Sequence, residues 1–199
     1  YNLSNPKGIM DIAHYLLSNI GSMYSVNRLT NHMKSRGHKT SRESVATYID
    51  WFEDTYFLFS LSVYNASVHK QAIAPKKIYC IDHALVRAVS SRILVNSGHL
   101  LENIVFVSLR QQNLEVNYFK TSNGLEVDFL TLNQQRELNL IQVCDSLFDE
   151  KTRKRELKAL LSAMKELKLK NALLITSDEF DEIRMEGNII KVVPIWQYL

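Results

Sequence analysis

The sequence predicts an α/β protein built in two parts, and two changes in its pattern carry this prediction. Apolar residues first recur at helical spacing through about the first quarter of the chain. A strand-rich stretch follows, and the remainder alternates helical patterns with short runs of β-branched and aromatic residues. Because helices that lie between strands usually pack on the faces of a sheet, we expect a mixed sheet flanked by helices in the second part.

Three short helices are predicted at the start of the chain. The first runs from about Pro6, a favourable early-turn proline, to the break at Gly21, and the second ends at Gly37. The third follows a capping-box pattern made by Thr40 and Glu43, and one apolar stripe runs along it.

A β-hairpin is predicted directly after these helices. Its strands lie within residues 57–67 and 76–82, and a polar link joins them as a loose tip. Three helices followed by a hairpin is the element order of a winged helix, whose third helix enters the DNA major groove. The prediction is therefore a winged helix-turn-helix domain over residues 1–80.

The distribution of charge points to the same part of the chain. A net charge of +3 is too small to indicate a nucleic-acid partner. However, residues 1–80 carry nine Lys or Arg against five Asp or Glu, and residues 81–199 carry fifteen against sixteen. The candidate nucleic-acid-binding residues are Arg28, Lys34, Arg36, Lys39, Arg42 and Thr47. Because winged helices also dock proteins and basic loops are often plain solvated surface, a docking or oligomerisation module without nucleic acid stays open.

The second part, residues 81–199, is predicted to have the element order αβββαβ. Its segments are a helix over 99–112, strands over 116–121, 125–132 and 138–144, an amphipathic helix around 157–167, and a strand over 172–177 before an apolar tail.

Composition excludes several classes of protein. The two cysteines, Cys80 and Cys144, lack CxxC spacing and the histidines are scattered, so neither a zinc site nor a disulfide scaffold is expected. No apolar run has the length of a membrane span and no signal pattern opens the chain, so we expect a cytoplasmic protein without a membrane partner. Because position 1 is Tyr, we expect the chain to be a piece of a longer protein.

Acidic side chains follow one face of a predicted strand. Because alternate residues of a strand share a face, Glu126 and Asp128 project together, with Val127 and Phe129 on the other side. If this strand pairs with the next, the carboxylate face gains a further oxygen ligand from that neighbour.

That neighbour supplies Gln142, which shares its face with Cys144. Glu102 lies on a mostly apolar helical stripe that should meet the sheet, where a carboxylate without a partner is costly. An Mg²⁺ or Mn²⁺ ion held by Glu102, Asp128 and the Gln142 oxygen would satisfy it and could activate water at a phosphate. The alternative is that these carboxylates bind only backbone or basic groups inside a stable fold.

The order helix glutamate, EVD strand and QVC strand resembles the PD-(D/E)XK nuclease superfamily. The motifs LLEN, EVDF and IQVC, with the preceding KKIYCID, resemble the C-terminal domain of a family of bacterial and archaeal AAA-type ATPases. The resemblance covers nearly the whole chain. The resemblance implies a winged helix followed by a restriction-endonuclease-like fold, with an N-terminal P-loop ATPase domain of the same full-length protein as partner. No GxxxxGK[ST] motif occurs in this chain, so ATP binding would belong to that N-terminal part.

Two positions depart from the nuclease pattern. In that pattern Glu102 matches the helix glutamate and Asp128 the metal-binding aspartate, but Gln142 stands at the second acid and Cys144 at the lysine. Loss of one electrostatic contact, such as that of the pattern's lysine with the reacting phosphate, typically costs about 10²- to 10³-fold in rate. Three other lysines are candidates to replace the missing cation: Lys120, Lys151 and Lys154.

The resulting expectation is a nucleic-acid-binding module with a degenerate, inactive nuclease centre. The first alternative is an active DNase that depends on Mg²⁺ or Mn²⁺, and the second is a docking module. The oligomeric state and the preferred DNA stay open.

Overall fold

The computed structural model describes residues 5–89, 97–112 and 114–199. Its helices are α1 (Pro6–Leu17), α2 (Val26–Ser35), α3 (Arg42–Asp54), α4 (Val68–Ile73), α5 (His83–Val89), α6 (Ser97–Gln111), α7 (Glu150–Leu167) and α8 (Ile195–Tyr198). Its strands are β1 (Met23–Tyr24), β2 (Leu58–Leu61), β3 (Lys76–Cys80), β4 (Glu115–Lys120), β5 (Glu126–Leu132), β6 (Leu138–Val143), β7 (Asn171–Thr176), β8 (Asp181–Met185) and β9 (Asn188–Pro194).

Two sheets organise the chain. The small sheet is antiparallel and has the order β1-β3-β2, and the large sheet has the order β4-β5-β6-β7-β9-β8. The large sheet is mixed, because β6, β7 and β9 are parallel while β4–β5, β5–β6 and β8–β9 are antiparallel. The α/β class and the mixed sheet predicted from the sequence are confirmed.

The three opening helices form where the periodicity places them, with one correction at a cap. Ser41, not Thr40, is the N-cap residue of α3: its extended backbone lets its Oγ accept a hydrogen bond from Ser44 N at 3.1 Å. Asn5 and Ser25 cap α1 and α2 in the same way.

The hairpin also differs from its prediction. The strands β2 and β3 pair from Leu58↔Cys80 to Leu61↔Lys77, but the link between them contains the short helix α4 instead of an irregular tip. Ser67 caps that helix by accepting from Lys70 N. A third strand, β1, pairs with the other edge of β3 and makes β3 the central strand.

Helices cover the large sheet on both faces. On one face α7 packs Leu160 and Met164 against Leu130 and Leu140. On the other face α6 packs Val105 and Leu109, both fully buried, against a separate set of sheet residues that includes Phe129 and Ile141. Each face thereby acquires its own apolar core.

The small sheet joins the core on the α6 face. Leu61 and Tyr79 pack in the same cluster as Val105 and Phe129. Beyond β2, the backbone continues against β4, where Tyr64 N donates to Tyr118 O at 2.7 Å. The apolar core is therefore continuous across the boundary predicted between residues 80 and 81.

No helix among the described residues is both long and apolar enough to cross a membrane.

Candidate functional site

A β-bulge shapes the acidic strand. The pairing of β5 with β4 shifts by one residue between Asn117 and Phe119, so Asp128 and Phe129 share one position of the ladder. The strict alternation predicted for this strand is therefore wrong: Val127 packs in the cluster on the α7 face, whereas Phe129 packs in the cluster on the α6 face. The bulge leaves Asp128 at the point where the alternation is reset.

A buried lysine lies at the centre of the acidic residues. The Nζ of Lys77, on the middle strand of the small sheet, lies 2.6 Å from Glu102 Oε1, 2.9 Å from Asp128 Oδ1 and 3.0 Å from Glu126 Oε1. Lys77 is 3% exposed. An ammonium has three N–H donors, so one donor is available for each carboxylate.

Neighbouring groups hold this centre in place. Tyr79, two residues along β3 and so on the same side as Lys77, donates its hydroxyl to Glu102 Oε1 at 2.6 Å. The next residue of α6, Asn103, is buried and bonds the backbone of Cys80 twice, accepting from its N–H at 2.8 Å and donating to its carbonyl at 3.0 Å. The small sheet is thus attached to α6 by directional hydrogen bonds as well as by apolar contact.

The electrostatics of the centre follow from burial and from the excess of carboxylates. Burial and the nearby Asp128 raise the pKa of Glu102 to about 7, although Lys77 opposes the rise. Burial alone would lower the pKa of Lys77, but Asp128, Tyr79, Glu102 and Glu126 raise it well above its usual value. Lys77 therefore stays a cation at every physiological pH.

Asp128 also connects two strands that separate at this point. The pairing of β5 with β6 ends at Phe129↔Ile141. Beyond that pair, Asp128 Oδ2 accepts from Val143 N at 2.9 Å, and Asp128 N donates to Gln142 Oε1 at 3.2 Å. Both side chains replace ladder hydrogen bonds that the diverging backbones no longer make.

The structure directs Gln142 away from the carboxylate pair. Its amide nitrogen donates to Glu156 Oε2 of α7 at 2.7 Å, which leaves its oxygen facing the backbone of Asp128. Glu156 is buried, and its other oxygen accepts from Arg155 Nε at 3.0 Å. This third buried carboxylate was not identified from the sequence, because it lies in a run of mostly exposed charged residues.

Cys144, at the lysine position of the nuclease pattern, is a core residue. It packs among Leu157, Leu160 and other residues on the α7 face, and its thiol donates to Ser146 O at 3.1 Å. Burial raises the pKa of the thiol to about 11, so the thiol stays neutral and cannot supply a charge at pH 7.

The residues present do not fit the metal ion that the resemblance implies. The Lys77 ammonium stands between Glu102 and Asp128, and the Gln142 oxygen accepts a backbone N–H. Within the described ranges, no group of three or more His, Cys, Asp or Glu side chains is arranged to hold a metal ion. The ammonium of Lys77 is the positive partner of these carboxylates.

An open cleft of about 600 Å³ lies beside the centre. Glu102 and Asp128 line this cleft, and its other walls include His99, Cys144 and Arg155. Burial and the Lys77 ammonium lower the pKa of His99, so this imidazole is neutral at pH 7 and adds no cation.

The three lysines considered as replacements lie elsewhere. Lys120 is exposed at the end of β4, Lys151 is exposed at the start of α7, and Lys154 pairs with Glu150 at 3.3 Å on the surface of that helix. The cation is instead Lys77, which the sequence analysis missed. A signal was available, because a lysine on the same strand face as Tyr79 in an apolar strand requires a buried partner.

The predicted nucleic-acid-binding residues lie on other elements than the centre of Lys77, Glu102 and Asp128. All six are exposed on α2, α3 and the turn between them: Arg28, Lys34, Arg36, Lys39, Arg42 and Thr47. None of these basic side chains forms a salt bridge with any residue that the structure describes.

Comparison with known proteins gives two family matches. Residues 97–198, just over half of the chain, match the model described as a domain of unknown function (DUF4143), and residues 2–94 match a second domain of unknown function (DUF8612). The two matches meet in the segment between α5 and α6.

Two curated relatives are similar to the chain over almost its whole length. An uncharacterized protein of Methanocaldococcus jannaschii is 33% identical over 208 residues, which cover 100% of this chain and 45% of that protein. An uncharacterized protein of Haemophilus influenzae is 23% identical over 182 residues, covering 92% of this chain and 44% of that protein. The chain spans less than half the length of both relatives. No solved structure matches it significantly.

Proposed function

Because the chain belongs to the family described as a domain of unknown function (DUF4143), a description without an activity, we propose a function from its own residues. The chain is a nucleic-acid-binding C-terminal module of an AAA-type ATPase, and its nuclease-like centre is inactive. Its first part acts as a winged helix and its second part as a restriction-endonuclease-like scaffold. DNA is the proposed partner, and the ATPase domain lies in the rest of the longer protein.

The observation that carries the proposal is the unpaired basic surface of α2 and the following turn. Between Asp11 and Glu43 the chain contains no acidic residue, yet it contains Arg28, Lys34, Arg36, Lys39 and Arg42. Because these side chains are exposed and form no salt bridge among the described residues, their charge is available for phosphate groups. A plain solvated surface would more often mix both signs of charge.

The charges of α3 restrict how a duplex could approach. Glu43, Asp50 and Asp54 are exposed on this helix, and they would repel phosphates along most of its length. Arg42 lies at its N-terminal end, next to the basic turn. The favoured approach therefore brings the backbone of the nucleic acid to the turn and the first residues of α3, where backbone N–H groups also face an anion.

The inactive centre follows from the contacts of Lys77. A metal-dependent nuclease needs carboxylate oxygens that are free to hold an ion and a cation that faces the phosphate. Here Glu102 and Asp128 are engaged by the ammonium of Lys77, which is itself 3% exposed and has a carboxylate for each of its three donors. These contacts favour the inactive module over the DNase alternative.

The test is the salt dependence of DNA binding by the 199-residue chain. We expect affinity for duplex DNA to fall steeply as salt rises, since each neutralised phosphate contributes a slope of about −0.9 in log K against log salt. In Lys39→Ala/Arg42→Ala the slope should become less steep by about 2. The matched control is Lys158→Ala/Lys191→Ala, which removes the same net charge from exposed sites on the second part of the chain.

An equal loss of binding in both double variants would show that only net charge matters and would contradict a specific surface. Absence of salt-dependent binding in the native chain would favour the docking module instead.

A further inference from the structure

We propose that Lys77 is the built-in cation of the centre formed by Glu102, Glu126 and Asp128, that it stands where a divalent metal ion would bind, and that the native chain therefore takes up neither Mg²⁺ nor Mn²⁺ there. The same lysine fastens the small sheet to the large one. The inference does not depend on nucleic-acid binding and is tested without DNA.

A metal ion in this centre would need the space that the Lys77 ammonium occupies. An Mg²⁺ ion binds carboxylate oxygens at about 2.0 to 2.1 Å. An ion shared by Glu102 Oε1 and Asp128 Oδ1 would lie between these two atoms. The Nζ of Lys77 already lies between them, at 2.6 Å from the first and 2.9 Å from the second. Ammonium and metal ion cannot both be present.

The carboxylate oxygens of Glu102 and Asp128 already accept hydrogen bonds. Glu102 Oε1 accepts from both Lys77 and the Tyr79 hydroxyl, and Asp128 Oδ2 accepts from Val143 N. Metal binding would have to break these hydrogen bonds, which is costly for buried groups. The native contacts therefore compete directly with a metal ion.

The backbone position of Lys77 is fixed by strand pairing. Its strand, β3, is paired on both sides, with Met23 of β1 and Leu61 of β2 opposite Lys77 itself. A paired central strand does not shift its register without moving all its side chains to the opposite face. Withdrawing the ammonium from its carboxylates would leave it buried without a partner, which is strongly unfavourable.

Without Lys77, the centre keeps its carboxylates but loses the cation that contacts them. Removal of the ammonium leaves Glu102 and Asp128 buried without this cation, next to an open cleft through which ions can enter. Hard carboxylate oxygens in that condition attract a divalent cation. Lys77→Ala, which also vacates the volume of the side chain, should therefore gain the metal affinity that the native chain lacks.

The experiment is a titration of the metal-free 199-residue chain with Mn²⁺, followed by electron paramagnetic resonance of the free ion and by thermal unfolding. We expect Lys77→Ala to bind one Mn²⁺ at least roughly tenfold more tightly than the native chain does, and to be stabilised by it. Lys77→Ala/Asp128→Asn should lose this affinity. Lys76→Ala, on the adjacent residue of the same strand, should behave like the native chain.

Two outcomes would overturn the proposal. One is an Mn²⁺ ion bound by the native chain and lost in Asp128→Asn, which decides the question even if Lys77→Ala does not fold. The other is a folded Lys77→Ala chain with no gain in Mn²⁺ affinity. If Lys77→Ala folds only when Mn²⁺ is supplied, the proposal is supported, because metal and lysine are then interchangeable.

Discussion

Lys77 and Asp128 are 51 residues apart in the chain, and their charged atoms Nζ and Oδ1 lie 2.9 Å apart inside the molecule. The contact joins the middle strand of the small sheet to the second strand of the large sheet. Because Glu102 of α6 contacts the same nitrogen, three separate elements meet at one ammonium. The centre is therefore a structural junction between the two parts of the chain.

Replacing the lysine should cost much more than replacing its neighbour. In Lys77→Met the stem can still pack, but the carboxylates lose their cation, so we expect a loss of about 3 to 5 kcal/mol in the free energy of unfolding. In Lys76→Met, on a partly exposed residue with no salt bridge among the described residues, we expect a change within about 0.5 kcal/mol. Urea unfolding followed by circular dichroism measures both. Similar losses in the two variants would show that the ion pairs contribute nothing to stability.

Gly21 should tolerate alanine less well than Gly37. Both have a positive φ, +74° at Gly21 and +85° at Gly37, so alanine is strained at both positions. At Gly37, where nothing lies within 4 Å of an added Cβ, we expect this strain alone to cost about 1 kcal/mol in the free energy of unfolding. At Gly21 the added Cβ would lie 3.1 Å from both Glu102 Oε2 and His99 Cγ. We therefore expect a further loss of about 1 kcal/mol or more for Gly21→Ala, measured by urea unfolding.

Equal losses for the two glycine variants would mean that the contact between Gly21 and the centre is loose. Only the backbone conformation would then matter at this position.

Glu102 should make stability depend on pH. Its pKa is raised from an ordinary 4.5 to about 7, so the folded protein holds this proton more tightly than the unfolded chain does. Stability from this group is fully present below pH 4.5 and is lost as pH rises to about 7, by roughly 3 kcal/mol at most. In Glu102→Gln, whose carbonyl can still accept from Lys77 and Tyr79, that slope should be absent.

The measurement is the unfolding free energy of the native chain and of Glu102→Gln at several pH values from 4 to 8. Subtracting one profile from the other removes the contributions of all other titrating groups. If the two profiles run parallel, the proton held by Glu102 does not differ between folded and unfolded states.

The native chain should not cleave DNA. With Mg²⁺ or Mn²⁺, plasmid and single-stranded substrates should stay intact, and the native chain should be indistinguishable from Asp128→Ala. Cys144→Lys should not create activity, because the ammonium of Lys77 still engages Glu102 and Asp128 in that variant. Cleavage by the native chain that disappears in Asp128→Ala would establish the DNase alternative and contradict an inactive centre. Activity that appears only in Cys144→Lys would instead show that the centre lacks only the lysine of the nuclease pattern at position 144 and keeps a competent geometry.

Most long elements could be predicted from the sequence because periodicity and capping are local. The helices starting at Pro6 and Val26 and the strands that became β4 to β7 lie close to their predicted positions. The elements that escaped prediction are short or depend on distant partners. β1, for example, has two residues and exists only because Met23 and Tyr24 pair with β3.

The candidate site could be predicted only in part. Glu102 could be singled out because a carboxylate on an apolar stripe requires a partner, and Asp128 because it shares a strand face with Glu126 in the predicted alternation. The structure does bring Glu102 and Asp128 to the same atom of Lys77. Gln142 could not be placed from alternation alone, since its hydrogen bonds depend on where β5 and β6 diverge and on the position of Glu156 in α7.

By itself, the sequence determined the α/β class, the mixed sheet and the need for a partner at Glu102, because these follow from local periodicity and from the cost of burying charge. Only the tertiary structure decided which cation answers that need. The choice of Lys77 depends on docking the small sheet against α6 and on the bulge that resets β5 at Asp128. Both are long-range arrangements of backbone that no neighbouring residues in the sequence specify.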